Sequence, residues 1–163
     1  FLLMKAKSAG IGLTEIILLY CGYNLAYSLF SPYFGHLSDR IGRKKLLIVG
    51  LVVFAGVYTG FSLATVRWHF WALFSLYGIY MAATDGVGKA LAVDLVDPIR
   101  KATGLGALRT VTGISTVIAS SIAGLLWDHY GPFYTFIFGA SGAIAATMVL
   151  IQVQEVHGRD MIR

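Results

Sequence analysis

Between two long apolar runs the chain carries Gly35-His-Leu-Ser-Asp-Arg-Ile-Gly-Arg-Lys-Lys45, with four cationic side chains and one carboxylate in a short stretch. Such a stretch is excluded from hydrocarbon, so the apolar runs on either side must end there and the chain must turn in water. Composition supports a membrane setting. The chain is 57% hydrophobic and 13% charged with a mean hydropathy of +0.74, well beyond the roughly 45–50% apolar content of soluble domains.

Five segments, at about 20 residues each, are long enough to cross a bilayer as helices: 13–34, 46–64, 70–93, 105–127 and 133–153. Their connections are short, which predicts antiparallel neighbours in an all-α transmembrane bundle forming one domain over residues 1–163. In the longest connection, Asp97 followed by Pro98 reads as the N-cap and first position of a short surface helix. Phe1 to Met4 resemble the last turn of an earlier apolar helix, and no signal peptide is visible. We therefore expect sequence to be missing upstream.

The net charge of +5 does not point to nucleic acid, because Lys and Arg cluster between apolar runs as topological signals do. One side of the bundle carries Arg40, Arg43, Lys44, Lys45, Arg100, Lys101, Arg159 and Arg163, and the other Lys5, Lys7 and Arg67. This asymmetry makes the first side cytoplasmic, including the 35–45 turn, the 94–104 connection and the C-terminus. Trp68, Trp71 and Trp127 fall at the opposite interface, where amphipathic rings are favoured.

Polar residues are unevenly shared. The second and fifth segments have no ionisable side chain in their interiors and suit a lipid-facing position. The first carries Glu15, Tyr20, Tyr23, Asn24 and Tyr27; the third Tyr77, Tyr80, Thr84, Asp85 and Lys89; the fourth Arg109, Thr110, Thr112, Ser115, Thr116, Ser120 and Ser121. These groups are costly against hydrocarbon, so the three helices are expected to face protein or a wet cavity. The plainer reading of the Ser and Thr set is that each hydroxyl bonds its own helix.

The 35–45 turn resembles the signature turn of the major facilitator superfamily, a Gly, three residues, then Asp-Arg-x-Gly-Arg-Lys, matched by Gly35, Asp39, Arg40, Gly42, Arg43 and Lys44. Lys101-Ala-Thr-Gly-Leu-Gly106 and Gly124-Leu-Leu-Trp-Asp-His-Tyr-Gly-Pro132 are similar to the two ends of that family's eleventh helix. The resemblance implies the carboxy-terminal half, helices eight to twelve, with the amino-terminal half missing and the Gly-Pro pattern of the fifth helix not seen. It implies that helices nine and twelve are an outer scaffold, that ten borders the central cavity, and that eight and eleven flank it. It further implies secondary active transport of a small solute by alternating access, with the turn as a cytoplasmic gating latch.

In the residues themselves, the basic turn can also be read as purely topogenic, although Asp39 adds nothing to that role. Gly35 and Gly42 are expected to permit close helix approach and unusual backbone angles. Asp85 and Lys89 lie four apart and share a helix face. They form a candidate gate or coupling pair with Arg109, or a plain packing pair. Tyr23, Asn24, Tyr27, Tyr77, Tyr80 and Thr84 are candidates to line a substrate path. Glu15 in its first helical turn suits the helix dipole.

Cys21 is single, so no intrachain disulfide forms. His36, His69, His129 and His157 are too scattered for a metal site, and no cofactor is expected. Gly139-Ala-Ser-Gly142 resembles the serine motif of rhomboid proteases, but no histidine follows within a span to serve as base. Gly88-Lys89 matches a phosphate loop only in part, with Ala83 and Ala90 at positions where glycine and Ser or Thr belong. We therefore expect a transporter rather than an enzyme. Its partners would be a small-molecule substrate, a coupling ion such as a proton or sodium, the bilayer, and the missing half or a second copy. A non-transporting membrane sensor or assembly protein on the same half-fold is the alternative.

Overall fold

A computed structural model describes residues 1–94, 96 and 98–152. Among these residues the chain is helical, with α1 (Leu2–Ser8), α2 (Leu13–Ile41), α3 (Arg43–Leu63), α4 (Arg67–Asp94), a single 3-10 turn (Pro98–Arg100), α5 (Lys101–Tyr130) and α6 (Pro132–Gln152). The expected end of the last segment at residue 153, together with Asp97, His157, Arg159 and Arg163, lies outside the described residues.

Four helices, α2, α3, α5 and α6, are long and apolar enough to cross a membrane. The fold is that of an all-α multi-pass membrane bundle. The 28-residue α4 is equally long, but Trp, Tyr and His near its start and Asp85 and Lys89 near its end dilute its apolar character. Its sides are instead covered by protein, since α4 packs on both α2 and α3 and touches α5. α3 and α6 pack closely, and α5 rests on α6.

The two main clusters of packed side chains lie toward opposite ends. Toward Gly131, Phe61, Phe70 and Phe136 are fully buried with Leu19. Phe61 stacks on Phe136 at 5.6 Å between centroids and meets Phe74 edge-on at 5.4 Å, the offset and perpendicular arrangements that aromatic quadrupoles favour. Toward Gly42, Leu46, Ala83 and Val87 form a smaller cluster with Phe34, Leu37 and Leu47 against it.

The helices exceed the expected segments at the Gly42 end. Gly35 to Ile41 is not a loop but the last turns of α2, and the whole connection to α3 is Gly42, at φ 96 and ψ 136. A backbone that turns with φ in that range favours glycine because it has no Cβ to clash. Gly35 is helical and a Cβ there would meet open space, so the expected close approach at Gly35 does not occur within this chain. The close approach falls instead at Gly78 of α4, where a Cβ would lie 2.5 Å from the Tyr23 carbonyl and 2.9 Å from the Ala26 Cβ. The short surface helix expected after residue 97 is only the 3-10 turn, which runs directly into α5.

Candidate functional site

Two polar clusters occupy the Gly42 half of the bundle, and α4 contributes to both. The first is built around Arg43, the opening residue of α3. A cation there opposes the positive end of its own helix, and Asp94, the closing residue of α4, opposes the negative end of its helix. Each relieves the other. Arg43 Nη1 lies 2.5 Å from Asp94 Oδ2, and Nη2 lies 3.6 Å from Asp39 Oδ1.

One guanidinium thus ties the ends of α2, α3 and α4. Ser38, buried beneath this cluster, donates its hydroxyl to the Gly35 carbonyl at 2.6 Å. Lys44 Nζ donates to the Ile151 carbonyl at 2.9 Å, joining the start of α3 to the end of α6. Asp39 and Arg40 stay exposed. Beside them a hollow of about 320 Å3 opens between α2 and α4, lined by Gly35, Ser38, Asp39, Arg43 and Gly86.

The second cluster lies further along α4. Asp85 Oδ2 pairs with Lys89 Nζ at 2.7 Å and accepts a hydrogen bond from the Tyr27 hydroxyl of α2 at 3.0 Å. Both charged side chains are about one-third exposed, so the pair is partly desolvated and its geometry matters more than that of a surface pair. Arg109 of α5 forms no ion pair among the described residues. It lines the same hollow of about 320 Å3 as Tyr80, Thr84, Asp85 and Lys89. A neighbouring hollow of about 460 Å3 brings Arg43, Lys89, Asp94 and Arg109 to one wall, so the two clusters adjoin.

The candidate path residues divide in two. Tyr23 and Tyr77 lie 5.5 Å apart between ring centroids, as do Tyr77 and Tyr80. Asn24 turns its amide to the Tyr20 carbonyl, and the Thr84 hydroxyl bonds the Tyr80 carbonyl. On α5, Thr110, Thr112, Thr116 and Ser121 each bond the carbonyl four residues back, the plainer of the two readings above. Nevertheless no residue of α5 is buried, so its polar face is not covered by this chain. Ser141 bonds the Phe138 carbonyl of its own helix.

Several contributors escaped the sequence reading. Asp94 carried a signal, an acid at a helix C-terminus against the dipole. Phe54 and Tyr58 of α3, stacked at 4.0 Å, extend the tyrosine cluster to Tyr77 and Tyr80, and only the packing of α3 on α4 reveals this. At the other end of the bundle Glu15 does more than suit its helix dipole. It accepts from Trp71 Nε1 at 3.2 Å and faces Arg67 Nε at 3.7 Å.

Comparison with known proteins agrees with this architecture. The profile of the Major Facilitator Superfamily matches residues 1–159. An uncharacterized MFS-type transporter of Methanocaldococcus jannaschii is 42% identical over 83% of this chain and 34% of its own length. The class H tetracycline resistance protein of Pasteurella multocida is 29% identical over 82% of this chain and 33% of its own. The quinolone resistance protein NorA of Staphylococcus aureus is 23% identical over 91% and 38%, respectively. The chain spans about a third of the length of these relatives.

Proposed function

The chain belongs to the Major Facilitator Superfamily, and on that premise we propose that it is the carboxy-terminal half of a secondary active transporter that moves a small organic solute by alternating access. In this reading α2 to α6 are five membrane crossings of a cell-membrane protein. The Gly42 turn, the connection after α4 and the C-terminus face the cytoplasm, as the distribution of Lys and Arg favours. The resistance proteins named above support a small organic solute. The coupling ion is a proton or sodium, and the rest of the path comes from an amino-terminal half.

The observation that carries the proposal is the division of roles at the Gly42 turn. Arg43 is tied inward to Asp94, which fixes the start of α3 to the end of α4. Asp39, held by Arg43 only at 3.6 Å, and Arg40 remain exposed beside it, able to meet the opposite half when the cytoplasmic side closes and to part from it when the halves rock. A turn serving only as a topological signal needs neither the clasp nor the exposed acid. Asp85, Lys89 and Arg109 then border the inner part of the path, with Tyr23, Tyr27, Tyr77 and Tyr80 further along it.

The test uses the full-length protein in proteoliposomes, with tetracycline and a quinolone as first probes and a solute panel read by thermal stabilisation as the second. Transport of a stabilising solute should be driven by an imposed ion gradient, and Asp39→Asn should lower that flux while leaving the melting temperature in place. A solute that binds and stabilises the protein but is never carried would overturn the transport reading in favour of a sensor.

A further inference from the structure

We propose that the outer junction of α3 and α6 is a binding site for an anionic phospholipid, with Lys45 holding the phosphate and one acyl chain lying in the groove between the helices. The inference rests on the membrane placement of α3 and α6 but not on transport.

The groove has a volume of about 570 Å3 and is lined by Val52, Gly56, Ile144 and Met148, with Thr59 and Thr147 at its edges. Its depth comes partly from Gly56, where a Cβ would meet nothing within 4 Å. Both threonines turn their hydroxyls to their own backbone, Thr59 to Ala55 and Thr147 to Ala143, each at 2.8 Å. With both threonine hydroxyls satisfied internally, the groove offers a largely apolar lining. A hydrocarbon chain suits such a lining, whereas a polar solute does not.

Charge identifies which lipid. Lys45, Val49, Val52, Gly56 and Thr59 recur at spacings of three and four, so they share one face of α3, and all five are exposed. Lys45 is thus in line with the groove and about 10 Å up the helix axis from Val52, close to the separation of a headgroup phosphate from the upper part of its acyl chain. Its neighbour Lys44 is turned to the Ile151 carbonyl and closes the end of the groove by joining α3 to α6. Lys45 has no hydrogen bond or ion pair among the described residues. A basic side chain where a helix leaves the bilayer, heading an apolar interhelical groove, attracts an anionic headgroup over a zwitterionic one.

Native mass spectrometry of the full-length protein, released from detergent with phosphatidylglycerol or with phosphatidylcholine of the same chains, tests this. Phosphatidylglycerol should be retained in preference. Lys45→Gln should cut its occupancy by about fivefold, and Gly56→Leu, which fills the groove at a position with open space, should cut retention of either lipid. Lys101→Gln, a cation removed elsewhere on the same side, should leave occupancy unchanged. Equal retention of the two lipids by the native protein, or undiminished phosphatidylglycerol in both Lys45→Gln and Gly56→Leu, would overturn the proposal.

Discussion

Arg43, the first residue of α3, and Asp94, the last residue of α4, meet at 2.5 Å beside the Gly42 turn. Each is misplaced with respect to its own helix dipole and well placed with respect to the other. The side chains are 28% and 53% exposed, so solvent screening keeps the pair modest. A double-mutant cycle of Arg43→Gln and Asp94→Asn in the full-length protein should give a coupling energy of about 0.5–1 kcal/mol in thermal or denaturant unfolding, not the several kcal/mol of a buried pair. Strict additivity of the two substitutions would show that the contact is not formed.

The close approach of α2 and α4 is set at Gly78. A larger residue there must displace the Tyr23 carbonyl and the Ala26 Cβ, neither of which can rotate away. Gly78→Val should therefore destabilise the protein by about 1–3 kcal/mol, the usual cost of overpacking. Gly86→Ala on the same helix, where the added Cβ meets open space, should be tolerated. Comparing the melting temperatures of the two variants tests this contrast, which equal melting temperatures would contradict.

Much of the helical architecture was legible because hydrocarbon leaves the backbone few options: apolar runs of sufficient length become helices, and clustered charge ends them. The stretch from Gly35 to Ile41 reads as a turn in the sequence but is helical, because charge marks where a helix leaves the bilayer, not where it stops being helical. Only Gly42 breaks the helix. The pairing of Asp85 with Lys89 followed from their spacing of four. The Tyr27 hydroxyl on Asp85 and the Asp94 carboxylate on Arg43 depend on how α2, α3 and α4 are packed, which no local pattern encodes.

Tyr27 and Lys89 share the same oxygen of Asp85, and this predicts unequal consequences of removing them. Tyr27→Phe leaves the ion pair in place and should cost about 1.5 kcal/mol, the low end for a hydrogen bond to a charged group. Lys89→Met leaves the carboxylate with only a neutral donor and should cost more, with the double variant Asp85→Asn, Lys89→Met recovering part of the loss. Unfolding of the three variants under one set of conditions decides the order. A larger loss in Tyr27→Phe than in Lys89→Met would contradict it.

Glu15 offers a separable pair of contacts at the Gly131 end. Glu15→Gln retains an acceptor for Trp71 Nε1 and loses only the longer, exposed contact with Arg67, so its effect on the melting temperature should be slight. Glu15→Leu removes both and leaves the half-buried indole N–H without its acceptor, which should cost about 1–3 kcal/mol. Equal melting temperatures for the two variants would show that Trp71 does not depend on Glu15.

The account depends most on which side of the membrane the Gly42 turn occupies. Ser38 is only 4% exposed, so the accessible reporter is Arg40 at the end of α2. In the full-length protein with native cysteines, including Cys21, replaced by serine, Arg40→Cys should react with a membrane-impermeant maleimide in inverted vesicles and be protected in intact cells. Labelling in intact cells, with inverted vesicles silent, would place the turn outside and contradict the account.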